Sequence, residues 1–300
     1  MSEHTKSRPF LVIVRAGDKS LHPQWLEGDG PRNWDIIVNY FGDDPERYRQ
    51  DDVVRIDSKG PKWPALHDVI RAHPEMMARY SHVWLPDDDL ATDKQSINRL
   101  FEICVAYELE MAQPALSWDS YSTHLVTLQH TNSLIRYTNF VEIMAPCFSA
   151  SMLAKSLPLF VANLSGWGLD FMWSKLADSP ETGVAIIDMV TVRHTRPIGG
   201  PNYKSLRAQG ISPLVELRAF CKQHEIDPKI TVHKVLSREG RTIQAAGRER
   251  RFAMRLLLGC GAAVRYAPDQ ARVMRRIAKF ILRSATNRPY RIVDLASTGL

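Results

Sequence analysis

Three consecutive carboxylates, Asp87, Asp88 and Asp89, follow the short apolar stretch SHVWL (81–85). Like charges this close repel one another and raise one another's pKa unless a cation or strong hydrogen-bond donors hold them. Because all the ligand atoms are oxygens, the ion that fits is Mg²⁺ or Mn²⁺, shared with phosphate oxygens of a substrate. The alternative is a solvated acidic loop whose Asp residues cap the next helix, and spacing alone leaves both interpretations open.

A second candidate site is the segment SGWGLDFMW (165–173), in which Asp170 is flanked by aromatic and apolar residues. Such surroundings raise the pKa of a carboxyl, which is useful in a general base, and the ring of Trp167 could stack on a sugar. The alternative, which these residues by themselves favour, is a tight turn with a buried Trp and an Asp satisfied by backbone donors. His194, at the end of the strand-like run 183–194, is a third candidate, although a single His is more often structural than a ligand.

Strand and helix patterns alternate around these residues, which predicts an α/β fold with a mainly parallel sheet. Continuous apolar runs predict strands at 10–14, 34–41 and 81–85, and the segment 64–80 predicts a helix interrupted near Pro74. After the acidic triplet (residues 87–89), Thr92 and Gln95 predict a capping box that starts another helix. The triplet is therefore expected at the carboxyl ends of the strands, where open α/β sheets bind ligands.

Length and charge suggest two parts of unequal character. A chain of 300 residues with 44% hydrophobic residues can bury one sizeable core, alone or with a smaller appendage. The last hundred residues carry 20 Lys and Arg against 7 Asp and Glu, whereas the first two hundred carry 19 against 26. No transmembrane run or secretory signal is evident, and four widely spaced cysteines without a C-x-x-C pair fit a reducing compartment. We expect a cytoplasmic protein.

The order of these motifs resembles glycosyltransferases of the GT-A type: a D-x-D motif after a strand, a later G-W-G-x-D segment and a late His at a strand end. The resemblance extends to an uncharacterised family of plant and bacterial proteins, number seven-oh-seven in the domain-of-unknown-function series, which is regarded as glycosyltransferase-like. It covers roughly residues 9 to 200 and rests on the segments GDKSLHPQW (17–25), KGPKWPAL (59–66), WLPDDDL (84–90), QPALSWDSYSTH (113–124), FVEIMAPCFS (140–149) and GWGLDF (166–171).

The resemblance implies a Rossmann-like GT-A domain with helices on both faces of the sheet, and a metal-dependent transfer of sugar from a nucleotide-sugar donor to a glycan or lipid-linked acceptor. Asp87, Asp89 and His194 would hold Mn²⁺ or Mg²⁺, and Asp170 would be the general base of an inverting reaction. The donor would contact Arg15, Asp18, Lys62 and Asp88, and the acceptor Trp167, Gln113, Trp118 and Glu142.

Several alternatives stay open within this assignment. Two departures from better-known transferases matter. Pro86 precedes the triplet, where it could simply end the strand. G-W-G-L-D stands where many transferases carry Glu-Asp after the glycine, which puts Asp170 as the base in doubt and leaves Glu142 as a rival for that role. Each basic residue could instead be a solvated surface charge. In place of a transferase, the chain could be a catalytically silent binding or scaffold protein that keeps the fold or, more remotely, a nucleotidyltransferase.

We expect a flexible N-terminus (1–8), a GT-A-like catalytic domain (9–203) and a basic, mostly helical C-terminal region (204–300). Apolar and basic residues alternate at helical spacing over 269–285, a pattern that could bind an anionic membrane at its inner face. The favoured alternative packs this helix on the protein or on a second subunit, so an oligomer is left open. The chain has no recognisable nucleic-acid motif, and we expect no nucleic-acid partner.

Overall fold

The computed structural model describes residues 8–197 and 201–244, together with 271, 274 and 275. Its strands are β1 (Phe10–Ala16), β2 (Trp34–Tyr40), β3 (Val54–Asp57), β4 (His82–Trp84), β5 (Leu90–Ala91), β6 (Met111–Leu116), β7 (Ser133–Thr138), β8 (Cys147–Ser149), β9 (Val184–His194), β10 (Val232–Ser237) and β11 (Thr242–Gln244). Its α-helices are α1 (His22–Leu26), α2 (Lys62–Ala72), α3 (Pro74–Met77), α4 (Lys94–Ala106), α5 (Ala150–Ser156), α6 (Leu169–Leu176), α7 (Pro201–Ala208) and α8 (Pro213–Gln223). The predicted strands at 10–14, 34–41 and 81–85 and the helix interrupted near Pro74 are confirmed.

The strands form one mixed sheet in the order β11-β10-β7-β9-β6-β8-β4-β1-β2-β3. The strands β3, β2, β1 and β4 are parallel to their neighbours. Beyond β4, antiparallel pairs predominate, and only β6 and β9 run parallel. The α/β class is confirmed, and the parallel pairs are concentrated among β4, β1, β2 and β3, at one edge of the sheet.

Helices cover both faces of the sheet because residues along each buried strand point alternately to either side. Val12 and Val14 of β1 pack with the apolar side of α4, whereas Leu11 and Ile13 pack with α2. All seven residues of β1 are buried. This strand therefore lies at the centre of two cores, and its carboxyl end is held rigidly.

Two local features between β4 and α4 differ from the sequence prediction. The short strand β5 follows the acidic triplet and pairs with the end of β9, with Leu90 opposite His194. The predicted capping box is wrong, since the cap of α4 is Asp93, whose side chain accepts a hydrogen bond from the Ser96 amide at 2.8 Å. An Asp cap satisfies the same backbone donor that a Thr would, so the helix begins close to its predicted start.

The described part of the C-terminal region packs on the same core and sheet as the first two hundred residues. Leu217 and Phe220 of α8 are buried in the core beside α2, and β10 pairs with β7. The predicted interfacial helix at 269–285 lies outside the described residues, apart from 271, 274 and 275. Among the helices that the structure describes, none has the length and apolar character needed to cross a bilayer.

Candidate active site

Two carboxylates of the acidic triplet each contact a basic side chain of their own. Lys62 Nζ donates to Asp87 Oδ1 at 2.5 Å, and an Arg196 guanidinium nitrogen donates to Asp88 Oδ1 at 2.9 Å. The Gly17 amide donates to the other oxygen of Asp88, also at 2.9 Å. Burial raises the pKa of both carboxyls, while Lys62 opposes the shift at Asp87, and Gly17 and Arg196 oppose it at Asp88. Basic partners thus offset much of the cost of crowding these charges.

The third carboxylate, Asp89, faces His194, which the pairing of β5 with β9 brings beside it. His194 Nε2 lies 3.2 Å from Asp89 Oδ2. Nδ1 lies 2.6 Å from the Tyr121 carbonyl oxygen, and since a carbonyl only accepts, Nδ1 carries a proton. Burial lowers the pKa of His194, but the hydrogen bond and charge of Asp89 outweigh it and raise the pKa to about 9. Nε2 is therefore the nitrogen that points toward the triplet.

Asp89 has one buried oxygen, Oδ1, that accepts no hydrogen bond from any described residue. With a pKa of about 9, the imidazole of His194 also carries a proton on Nε2 at neutral pH, and a metal must displace that proton to bind there. An unpaired carboxylate oxygen beside an imidazole of fixed orientation then suits a hard divalent cation. Asp87, however, is turned toward Lys62. Over the described ranges, no three His, Cys, Asp or Glu side chains are grouped as ligands of one ion. Asp89 and His194 therefore fit a cation as a pair, and the expected set of three is not assembled around Asp87.

Lys62 connects the acidic triplet to a neighbouring cavity. Its Nζ also donates to the Ile143 carbonyl at 3.0 Å, and the Asp87 amide donates to the Met144 carbonyl at 2.8 Å. The cavity beyond Ile143 is lined by Thr123, His124, Glu142, Ile143, Trp167, Gly168, Asp170, Phe171, Tyr203 and Leu217. Three residues singled out from the sequence, Glu142, Trp167 and Asp170, thus share one concave surface that adjoins the triplet.

Asp170 lies in the first turn of α6, and two glycines determine its position. Gly166 and Gly168 have φ values of +76° and +104°, which favour glycine. A Cβ atom on Gly166 would lie 2.1 Å from the indole of Trp63, and one on Gly168 would lie 2.7 Å from the Phe220 ring. The G-W-G spacing is therefore required by backbone conformation and by close packing, and it sets where the next carboxylate enters the cavity.

The environment of Asp170 suits a general base. Burial raises the pKa of its carboxyl to about 8, the charge of Glu142 adds to the shift, and backbone amides at the start of α6 oppose it. Its Oδ1 accepts no hydrogen bond from the residues the structure describes. A carboxyl whose pKa lies near neutrality can take a proton from a substrate and later release it.

Gln113 and Trp118, which were expected to bind an acceptor, are not among the residues that line this cavity. Gln113 is fully buried in β6, where its Oε1 accepts a hydrogen bond from the Glu142 amide at 2.6 Å. The Trp118 indole donates to the Gln129 carbonyl and packs against the core on the α4 side of the sheet. Gln113 is enclosed because β6 is an interior strand, paired on both edges, whereas Trp118 lies two residues beyond the end of that strand.

Arg15 and Asp18 lie at the carboxyl end of β1. The Arg15 guanidinium is 5% exposed and donates to Asn39 Oδ1, to Ser58 and to the Gly60 carbonyl. Burial lowers its pKa to about 10. Asp18 is half-exposed and accepts from the Tyr40 hydroxyl. Arg15 is therefore a buried cation held by neutral oxygens, and not a solvated surface charge.

Sequence reasoning missed two residues that the structure adds to the site. Arg196 follows His194 by two positions, and only its place after the strand end could have drawn attention to it. Tyr203, on α7, lines the cavity, and its hydroxyl oxygen lies 3.1 Å from the Trp167 indole nitrogen. No local motif distinguishes Tyr203 in the sequence.

Comparisons with known proteins give one matching family model and several solved structures of low sequence identity. Residues 62–223 match the family model described as "Protein of unknown function (DUF707)", a span that contains the triplet, the cavity residues and His194. No curated protein matches the chain.

Among solved structures, TarS 1–349 of S. aureus is 10% identical, with 91% of this chain and 83% of that chain covered and a TM-score of 0.48. Glucosyl-3-phosphoglycerate synthase of Mycobacterium tuberculosis, in complex with Mn²⁺, UDP-glucose and phosphoglyceric acid, is 16% identical, with 72% and 80% covered and a TM-score of 0.46. These scores are below 0.5, and the fold described above rests on the chain's own sheet order and packing.

Proposed function

The chain belongs to the family of proteins of unknown function designated DUF707, and we propose that it is a glycosyltransferase of the GT-A type that transfers sugar from a nucleotide-sugar donor to an acceptor hydroxyl. The observation that carries the proposal is the contact of Lys62 with both Asp87 and Ile143. It joins a cluster of paired carboxylates, suited to a diphosphate and its cation, to a cavity that holds a carboxyl of raised pKa. A sugar transferred between a phosphate and a hydroxyl needs these two chemistries side by side.

The donor would bind along the carboxyl ends of β1 and β4. Asp88 holds the loop after β1 through the amides of Gly17 and Leu21, which supports a role in shaping the donor site. Arg15 lies near the carboxyl end of β1, and none of the carboxylates that the structure describes accepts a hydrogen bond from it, so its positive charge is available to favour an anionic ligand. Asp18 and Lys62 complete the set of proposed donor contacts.

A divalent cation, Mn²⁺ or Mg²⁺, would be held by Asp89 and His194 together with donor phosphate oxygens, a mode in which Mg²⁺ commonly uses only one or two carboxylates. When bound, the cation supplies Lewis-acid stabilisation of the charge on the departing nucleoside diphosphate. Asp87 would also bind the cation, after its hydrogen bond with Lys62 is broken. Tyr121 fixes the imidazole of His194 in the required orientation through Nδ1.

Asp170 would act as the general base on the acceptor side. Its carboxylate would take the proton of the acceptor hydroxyl while that oxygen bonds to the anomeric carbon. The bond from the anomeric carbon to the phosphate oxygen would break, and its electron pair would leave with the nucleoside diphosphate. Attack opposite the leaving group inverts the anomeric configuration. Trp167 would stack on the sugar, and the acceptor site would use Trp167 and Glu142 but not Gln113 or Trp118.

Calorimetric titration tests the donor site directly. UDP, GDP, CDP and ADP are titrated into the purified protein with Mn²⁺ and after chelation, beside the double variant Asp87→Asn/Asp89→Asn. We expect one nucleotide to bind in a metal-dependent manner, and we expect the variant to lose at least tenfold in affinity. If a well-folded wild-type protein binds none of the four, the donor site is wrong and a silent binding protein becomes the better account.

A further inference from the structure

Tyr203 has no role in the mechanism proposed above, yet it lines the same cavity as the proposed base. It belongs to α7, lines the cavity with Asp170 and Glu142, and packs edge-on against Trp167 with the ring centroids 6.0 Å apart. Because Trp167 lies between the two constrained glycines, Gly166 and Gly168, this contact fixes Tyr203 relative to the start of α6.

The hydroxyl of Tyr203 is oriented as a donor. The Trp167 indole N–H can only donate, so at 3.1 Å it occupies a lone pair on the Tyr203 oxygen. No described residue accepts the proton of that hydroxyl. Burial raises the pKa of Tyr203 to about 12, the hydrogen bond from Trp167 opposes this, and the charges of Asp87, Glu142 and Asp170 add to it. The hydroxyl therefore stays neutral and keeps a proton to donate over the whole working range of pH.

The position of this donor is defined by the carboxylates around it. Asp87 belongs to the triplet, where the diphosphate would lie, whereas Glu142 and Asp170 belong to the cavity, where the acceptor hydroxyl would lie. Tyr203 lines the same cavity as Glu142 and Asp170, and Lys62 connects that cavity to Asp87 through Ile143. In a direct displacement, the sugar ring must lie between the departing phosphate and the attacking hydroxyl. A sugar that reaches from the triplet into this cavity would therefore meet a lining that includes Tyr203.

We propose that Tyr203 binds the transferred sugar, with its O–H donating a hydrogen bond to a non-reacting oxygen of the sugar ring while Trp167 holds its hydroxyl in place. Tyr203 is thus a substrate-binding residue that recognises the sugar part of the donor and not its nucleotide. This inference rests on the proposed function, since it requires a nucleotide-sugar donor.

The test compares two kinds of ligand, a free nucleoside diphosphate and its sugar derivatives, which differ only by the sugar. The nucleoside diphosphate that binds in the titration above and its glucose and N-acetylglucosamine derivatives are titrated with Mn²⁺ into wild type, Tyr203→Phe and Tyr80→Phe. The phenylalanine at 203 keeps the ring against Trp167, so folding is preserved. Tyr80 is the matched control, since its hydroxyl donates to Asp35 at the opposite end of the sheet.

We expect Tyr203→Phe to weaken binding of at least one nucleotide sugar by about 3- to 10-fold, as loss of one neutral hydrogen bond predicts. The free diphosphate should bind within twofold of wild type, and Tyr80→Phe should change neither ligand. Equal weakening of both ligands, or no change in any nucleotide sugar that wild type binds, overturns the role of Tyr203 and leaves the proposed function standing. Absence of nucleotide binding to wild type overturns the proposed function, and this inference with it.

Discussion

The acidic triplet and the Asp170 cavity place the same type of side chain in opposite surroundings. Asp87, Asp88 and Asp89 each contact a different basic group. Asp170 contacts no basic side chain among the described residues, and its charged neighbour is another carboxylate, Glu142. Burial raises pKa values in both regions, but only the triplet has cations to oppose it. The difference suits the two regions to different chemistry: a place for phosphate and metal, and a place to take up a proton.

The largest expected effect comes from removing the carboxylate on the cavity side. Asp170→Asn keeps the shape of the side chain but cannot accept a proton, so the rate of sugar transfer should fall by about 10²- to 10⁴-fold. The measurement is the rate at which glycosylated product forms, once an acceptor is known. Binding of the nucleoside diphosphate should stay within twofold, because the triplet is untouched.

Asp68→Asn is the matched control, since Asp68 is largely exposed on α2 and pairs only with His67. It should leave transfer unchanged. Near-normal transfer by Asp170→Asn would show that another group is the base, and Glu142→Gln would then be expected to abolish the reaction.

The second prediction concerns how the free energy of unfolding depends on pH, which the raised pKa of Asp170 determines on the cavity side. The folded protein raises the pKa of Asp170 from 3.8 to about 8. Its contribution to the free energy of unfolding is therefore fully present below pH 4 and lost as the pH rises through 8. Asp170→Asn removes this loss, so its stability relative to wild type should increase from pH 4 to pH 9, by up to about 5 kcal/mol. Denaturant unfolding at several pH values measures the difference.

This dependence on pH distinguishes the buried carboxyl from a general effect of the substitution. Any change in packing or hydrogen bonding caused by the amide shifts stability by the same amount at every pH. A difference between Asp170→Asn and wild type that stays constant from pH 4 to pH 9 would contradict the assignment.

A smaller effect should come from the residue that joins the two regions. Lys62→Met leaves Asp87 without its cation, but the Asp87 side chain is 39% exposed, so solvent screens much of the charge. We expect a loss of about 1–2 kcal/mol in the free energy of unfolding without metal. With Mn²⁺ and no nucleotide, the loss should shrink, because the metal replaces the ammonium beside Asp87.

Lys155→Met is the control for this comparison, because Lys155 is partly buried as Lys62 is, whereas its partner Asp178 is exposed and far from the proposed metal site. It should cost under about 1 kcal/mol, with no dependence on metal. If the deficit of Lys62→Met is the same with and without Mn²⁺, Lys62 and the cation do not act on the same carboxylate.

The sequence was sufficient to predict elements whose signal is local. The apolar runs that became β1, β2 and β4 predict buried strands because burial on both faces leaves no polar alternation. The triplet at a strand end follows from the same pattern. The proximity of Glu142 to Asp170, by contrast, depends on β8 inserting between β4 and β6, which no residue spacing reveals.

The contacts that complete the site are non-local and were not predictable. Strand β5 has only two residues, so it has no periodicity to detect, yet it brings His194 to Asp89. Lys62 and Asp87 are separated by 25 positions, and their pairing required a folded backbone. The sequence also could not show that Gln113 is enclosed within β6 and that Trp118 packs on the α4 side of the sheet, so that neither lines the cavity of Asp170.

The smallest expected effect uses Trp118 to set the boundary of the cavity. Trp118→Phe loses the hydrogen bond to the Gln129 carbonyl, which should cost about 1 kcal/mol of stability, and should leave transfer within twofold of wild type. Trp167→Phe, by contrast, loses the hydrogen bond to Tyr203 inside the cavity and should weaken nucleotide-sugar binding about as much as Tyr203→Phe does. If Trp118→Phe reduces transfer as strongly as Trp167→Phe, the acceptor path crosses to the α4 side of the sheet, and the cavity described here is only part of it.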